Sequence, residues 1–171
     1  EHRYELVRGE LVCMAPSGSE HSEIGMLIGH FILTYVLGHQ SGIVTGPDGG
    51  FLVRKDPDTV LVPDVAFVHR DRLTSELDRT RYLPLAPDLV VEIVSPSDRM
   101  ADVTGKVQTY FEAGTRLIWI VLPQQQAVMV HYPDGTARTL KSADTLDGED
   151  VLPGLEIPIA GIFNSPASSK E

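Results

Sequence analysis

Apolar positions change their spacing several times along this chain, and each change marks an element. Residues 4–7 and 10–14 flank Arg8-Gly9, which predicts a hairpin with a tight turn. After a break at Ser17-Gly18-Ser19, the apolar residues Ile24, Leu27, Ile28, Phe31 and Tyr35 recur at helical spacing. Ser17 and Glu20 stand as a capping box before that helix, and Gly38 occupies the place of a C-cap after it. Strand-like runs follow at 43–45, 51–53 and 60–68, separated by glycines and Asp-Pro pairs. Residues 71–87 are polar and bounded by proline, the pattern of a loop with a helical turn.

From residue 88 the pattern changes again. The stretch 88–94, "DLVVEIV", is almost continuously β-branched, as in a strand buried on both faces. Ser95-Pro96-Ser97-Asp98 stops it and begins a helix with the stripe Val103, Val107, Tyr110 and Phe111, which Gly114 ends. A second buried strand, "LIWIVL", covers 117–122, so the two strands should be parallel neighbours joined by the helix. Residues 127–132 and 136–140 predict a hairpin around Pro133-Asp134-Gly135. Residues 152–162 are irregular, and 164–171 are expected to be a mobile polar tail. No repeat or linker interrupts the chain. The expectation is one α/β domain over 1–163, a mixed β-sheet flanked by helices, with a hairpin on either side extending the sheet.

A chain of 171 residues with 42% hydrophobic and 22% charged side chains supports one core of ordinary globular composition. Its one cysteine, Cys13, excludes an internal disulfide and a cysteine-rich zinc site. The apolar window 25–38 is about fourteen residues, short of the roughly twenty that span a bilayer. With no signal-peptide pattern either, a cytoplasmic location and no membrane contact are expected. The net charge of -10 counts against non-specific coating of nucleic acid, which takes basic surfaces. A local strip (Arg54, Lys55, Arg70, Arg72, Arg79, Arg81) is interleaved with aspartates and is equally a solvated face.

Two acids do not fit their surroundings. Asp64 follows Pro63 in "VPDVAFV", and Glu92 stands between valines and isoleucine in "DLVVEIV". A carboxylate in such a run is costly unless its charge is compensated. Alternation puts Glu92 on a face with Val90 and Val94, and Asp64 with Val62, Ala66 and Val68. If the two strands are adjacent, both carboxylates can converge, and a divalent cation is the natural way to hold them together. Each acid alone has a plainer explanation, a turn after Pro63 for one and an arginine partner for the other. Lys106 flanks the apolar stripe of its helix, so its stem can lie over apolar surface and bring the ammonium to the carboxylates. His21 falls on the inward side of the first helix, either as a hydrogen-bonded core histidine or beside the metal. Glu10 and Glu23 are weaker candidates for a supporting shell; His30 and His39 are read as incidental.

Pro63-Asp64 followed by Glu92 in a buried strand resembles the PD-(D/E)XK nuclease superfamily, the restriction-endonuclease-like fold. The segments 4–10, 19–21, 62–65, 91–97 and 106–114 with Trp119 resemble, more narrowly, its Uma-type family, over the chain as far as about Tyr132. The superfamily pattern has a lysine two residues after the acid, where this chain has Val94; in the Uma-type family the following helix supplies it, at the position of Lys106. The family's aspartate after the tryptophan is Leu122 here. The resemblance implies a metal-dependent endonuclease, a hydrolase cleaving phosphodiester bonds of nucleic acid, with DNA the expected substrate. Asp64, Glu92 and the backbone carbonyl of Ile93 would bind Mg²⁺ or Mn²⁺, and Lys106 would stabilise developing charge. Cutting two strands needs two sites, which would suit a homodimer. Two rivals stand beside this: a binding module on the same fold without catalysis, and a metal-free hydrolase using the carboxylates as acid and base.

Overall fold

The computed structural model describes residues 3–14 and 16–164. The hairpin pairs β1 (Arg3–Val7) with β2 (Glu10–Met14), and both turn residues, Arg8 and Gly9, adopt positive φ. That is the turn geometry whose twist matches the strands it joins. The helix α1 (Ser19–His39) buries Ile24, Ile28, Ile32 and Val36, a stripe of four-residue steps, while Leu27, Phe31 and Tyr35 flank it. Its ends differ from expectation. Gly18 is the N-cap with no side-chain hydrogen bond, so the Ser17–Glu20 box does not form, and Gln40, not Gly38, takes the left-handed cap.

Then come β3 (Gly42–Thr45), β4 (Phe51–Arg54), β5 (Thr59–Leu61) and β6 (Val65–His69). The run at 60–68 is therefore two strands. The break falls at Val62-Pro63-Asp64, because Pro63 has no N–H to give a ladder. The remaining elements are β7 (Leu89–Ile93), α2 (Met100–Glu112), β8 (Leu117–Leu122), β9 (Ala127–His131), β10 (Ala137–Leu140), β11 (Thr145–Asp147), β12 (Glu156–Pro158) and α3 (Ile159–Phe163).

A six-stranded mixed sheet in the order β10-β9-β8-β7-β6-β3 is the centre of the domain, with β7 and β8 as its parallel pair. The C-terminal hairpin extends this sheet as expected. The N-terminal hairpin does not: it joins a second sheet, β2-β1-β5-β4, so the break before β6 is where the chain passes from one sheet to the other. On one face of the large sheet, α1 and α3 bury Val65, Phe67, Leu89, Val91, Trp119 and Val121. On the other face α2, through Val107 and Tyr110, packs with Leu61 of the second sheet against Val90, Ile118 and Ile120. The segment expected to be irregular at 152–162 instead forms β12, which pairs with β11, and α3, with Leu155, Ile157, Ile159 and Ile162 in the main core. Short apolar runs broken by Pro153, Gly154 and Pro158 hid that order. Apart from Asn164, the predicted polar tail lies outside the described residues.

The arginines of 54–81 do not form one strip. Arg54 pairs with Glu112, Arg70 donates to the Gln40 carbonyl, Arg72 pairs with Asp88 and Arg81 with Asp78. Buried Asp88 accepts from the His69 N–H at 2.8 Å as well, which anchors the turn after β6 to the start of β7.

Candidate active site

The passage between sheets aims Asp64. In the antiparallel register Val65 lies opposite Val91, so one further step brings position 64 beside Glu92. The Asp64 side chain does not follow the face of Ala66 and Val68, which pack on Phe51. Standing outside the strand, it turns toward α1: its Oδ2 accepts from the Ile93 N–H at 2.8 Å and lies 3.3 Å from His21 Nε2.

Glu92 leaves β7 on the opposite face, toward α2. Its Oε1 accepts from the Tyr110 hydroxyl at 3.0 Å, and its Oε2 is 3.7 Å from Lys106 Nζ. Lys106 and Tyr110 are four residues apart, so one turn of α2 delivers both. The ammonium has a nearer partner: Glu5 of β1 lies 2.9 Å from it through Oε2 and 3.0 Å through Oε1. Glu5 Oε1 also accepts from the Val62 N–H at 3.0 Å, which ties the loop carrying Asp64 to the lysine's partner. The structure thus sets Asp64 with His21 on the α1 side of the end of β7 and Glu92 with Lys106, Glu5 and Tyr110 on the α2 side, the two groups within electrostatic reach of each other. Glu10 and Glu23 are exposed on β2 and α1.

Sequence reasoning treated Tyr110 as core and passed over Glu5. Yet Glu5 stands between Tyr4 and Leu6 in a strand-like run, the same anomaly that singled out Glu92. Its side chain is only 3% exposed.

Burial pushes the Glu92 carboxyl up to about 7; Lys106 pulls it down, while Asp64 and Glu5 push it further up. Burial alone would lower the Lys106 ammonium, but Glu92 and Glu5 outweigh it and the net shift is upward, so the lysine stays charged. The Tyr110 hydroxyl is raised by burial and by its acidic neighbours and remains a donor. His21 is raised by its hydrogen bond to Asp64 against a desolvation cost, with the Ile93 backbone and Asp98 adding to the rise.

The two acids on Lys106 have opposite consequences for stability. A Glu92 pKa above its ordinary 4.5 means that the folded protein holds a proton which the unfolded chain releases. The stabilisation is full below that ordinary value and is lost as pH rises through about 7, an effect on the order of 3 kcal/mol. In chelator, Glu92→Gln should therefore raise the melting temperature at about pH 8 and change it little at about pH 5; a pH-independent shift in thermal scans would contradict this. Glu5→Ala should do the reverse. It removes the nearer partner of a half-buried ammonium and frees the Val62 N–H, costing about 2 kcal/mol in denaturant titrations.

The donors suit a hard divalent ion. Two carboxylates and the Ile93 carbonyl are oxygen ligands, and the only cysteine, Cys13, is exposed on β2. His21 sits against Asp64 and the Ile93 backbone, contacts that raise its pKa, so the surroundings favour a positive charge there. Among the described residues, no group of three or more His, Cys, Asp or Glu side chains converges to form a complete cage. An ion held by one or two carboxylates and otherwise by water is the habit of Mg²⁺ and similar ions. No helix among the described residues is long and apolar enough to cross a membrane.

Residues 1–160 match the Uma2 sequence-family model, described as "Putative restriction endonuclease". The fold is similar to the crystal structure of a putative nuclease belonging to DUF820 from Anabaena variabilis ATCC 29413, with a TM-score of 0.79. That similarity covers 94% of this chain and 89% of the other at 20% identity, and it establishes a shared single-domain mixed α/β fold. No curated protein matches the chain.

Proposed function

This chain belongs to the Uma2 family of restriction-endonuclease-like proteins, and we propose from that membership and the pocket's geometry that it is a metal-dependent endonuclease acting on DNA. The observation that carries the proposal is that Asp64 and Glu92 hold neighbouring register positions at the end of β7, near enough to raise one another electrostatically, with Asp64 bonded to the residue after Glu92 and Lys106 reaching in from α2. Asp64, Glu92 and the Ile93 carbonyl would hold Mg²⁺ or Mn²⁺. When bound, such an ion supplies Lewis acidity to a water and to the phosphate oxygens.

The protein's own groups do the rest. Lys106, charged and held between Glu5 and Glu92, is preorganised to meet the negative charge that builds on a phosphoryl group. Glu5 is a positioning residue for that ammonium. Tyr110 orients the Glu92 carboxylate through its hydroxyl, and His21 orients Asp64. Because two acids alone cannot neutralise a phosphodiester, activity requires the ion. Cleavage of DNA, offered both as plasmid and as single strand, should therefore need Mn²⁺ or Mg²⁺, stop in chelator and return on adding the ion back. Cleavage that persists in chelator would point instead to the carboxylates acting as acid and base. Cleavage absent under every metal condition would point to a binding module.

A further inference from the structure

Beside the carboxylates, between α1 and the β3–β6 edge of the large sheet, lies a cleft of about 480 Å³, most of whose walls the proposed chemistry does not use. His21, Asp64 and Ile93 line it, so it opens directly on the site. We propose that this cleft receives an unpaired base of a single-stranded nucleic acid, one nucleotide along from the phosphate at Asp64 and Glu92; the assignment of that phosphate rests on the nuclease reading.

The walls of the cleft are suited to a flat apolar ring. Gly25 and Gly29 leave α1 without side chains there: a Cβ on Gly29 would meet nothing nearer than a Val65 methyl at 3.8 Å. Met26 is 72% exposed and Leu33 42%, although the packed face of α1 is the Ile24–Val36 stripe. Neither belongs to the core, and both line the cleft. The facing wall is Val44 and Pro47, and Arg3 stands at the mouth. Its guanidinium is 3.6 Å from the exposed Asp48, a weak pair that a phosphate can displace. The volume is that of a small-ligand pocket; a paired base is stacked and shows only its edges in the grooves, so duplex DNA would have to give up a base to fill it.

A second feature continues the path. Thr45 lines this cleft and also a neighbouring hollow bordered by Arg79, Arg81 and Tyr82. Tyr82 is 61% exposed, yet its ring is held: a Cβ on Gly50 would lie 2.4 Å from Tyr82 Cδ1, so the ring rests on bare backbone. A fixed aromatic face beside two arginines is the usual means of stacking a base and meeting its phosphate without reading sequence. A strand leaving Asp64 through the α1 cleft would round the edge strand β3 at Thr45 to reach this ledge on its other face. Duplex is thereby disfavoured, and the substrate class is single-stranded or locally unpaired nucleic acid.

The test is fluorescence anisotropy in chelator, with a labelled single-stranded deoxyoligonucleotide of about ten nucleotides and the same sequence as a duplex. Gly29→Leu fills the cleft and also improves helix propensity, so a melting temperature at or above wild type shows that the variant folds. Gly29→Leu and Tyr82→Ala should each weaken single-strand binding about tenfold and leave duplex binding unchanged. A series of oligonucleotides, each with one abasic position, should contain one whose binding is insensitive to Gly29→Leu, because base and plug compete for the same space. Equal binding of single strand and duplex, or full Gly29→Leu sensitivity with every abasic oligonucleotide, overturns the proposal. The anisotropy signal needs no cleavage. Binding that behaves as stated without any metal-dependent cleavage therefore refutes the nuclease reading alone.

Discussion

Asp64→Ala should abolish metal-dependent cleavage, by about a thousandfold or more, in a protein that still folds. The side chain is polar, partly exposed and outside the strand ladder, so its loss removes one hydrogen bond to the Ile93 N–H and the contact with His21. Such losses cost about 1–2 kcal/mol, which a packed domain absorbs. The catalytic loss is larger because the remaining acid, Glu92, has a carboxyl pushed up to about 7 and is engaged by Tyr110 and Lys106, so it is a poor sole ligand. Cleavage rates at saturating Mn²⁺, read beside the melting temperature, check this. Comparable rates in variant and wild type would remove Asp64 from the site.

Lys106→Met should reduce cleavage about a hundredfold or more while sparing metal binding. Methionine keeps the apolar stem that packs along α2 and deletes the ammonium. Two carboxylates, Glu5 and Glu92, are then left without a cation, which strengthens their attraction for a divalent ion and weakens the fold in its absence. The expected signature is a fall in kcat at saturating metal, an unchanged or tighter Mn²⁺ affinity, and a melting temperature that depends more steeply on added metal than in wild type. An unaltered kcat would show that the ammonium serves structure alone.

How far the sequence reveals this site depends on where each residue's constraint is written. Asp64 and Glu92 are visible because a charge in a β-branched run breaks a local pattern, and Lys106 because helix periodicity fixes its face. The parallel pair β7 and β8 is legible for the same reason: both runs are apolar on both faces. What periodicity does not carry is the passage between sheets. Pro63 reads as a blemish in one strand from 60 to 68, whereas it marks the step from the small sheet to the large one, and that step is what turns Asp64 toward His21. Glu5 shows the same limit. Its burial comes from a lysine 101 positions away, a contact that only the assembled layers create. The capping box failed for a local reason, since Gly18 took the N-cap position and left Ser17 outside the helix. The C-terminal segment failed for a distributed one: the stretches that make up β12 and α3 are each too short to show a period, yet together they close the main core.

The most direct test is a titration of Mn²⁺ into wild type, Asp64→Asn and Glu92→Gln, followed by calorimetry or by the electron-spin signal of the free ion. Wild type should take up the ion, and both isosteric variants should lose that uptake while melting as folded proteins. Uptake in either variant equal to wild type, or none in wild type, would contradict a shared ion at these two carboxylates.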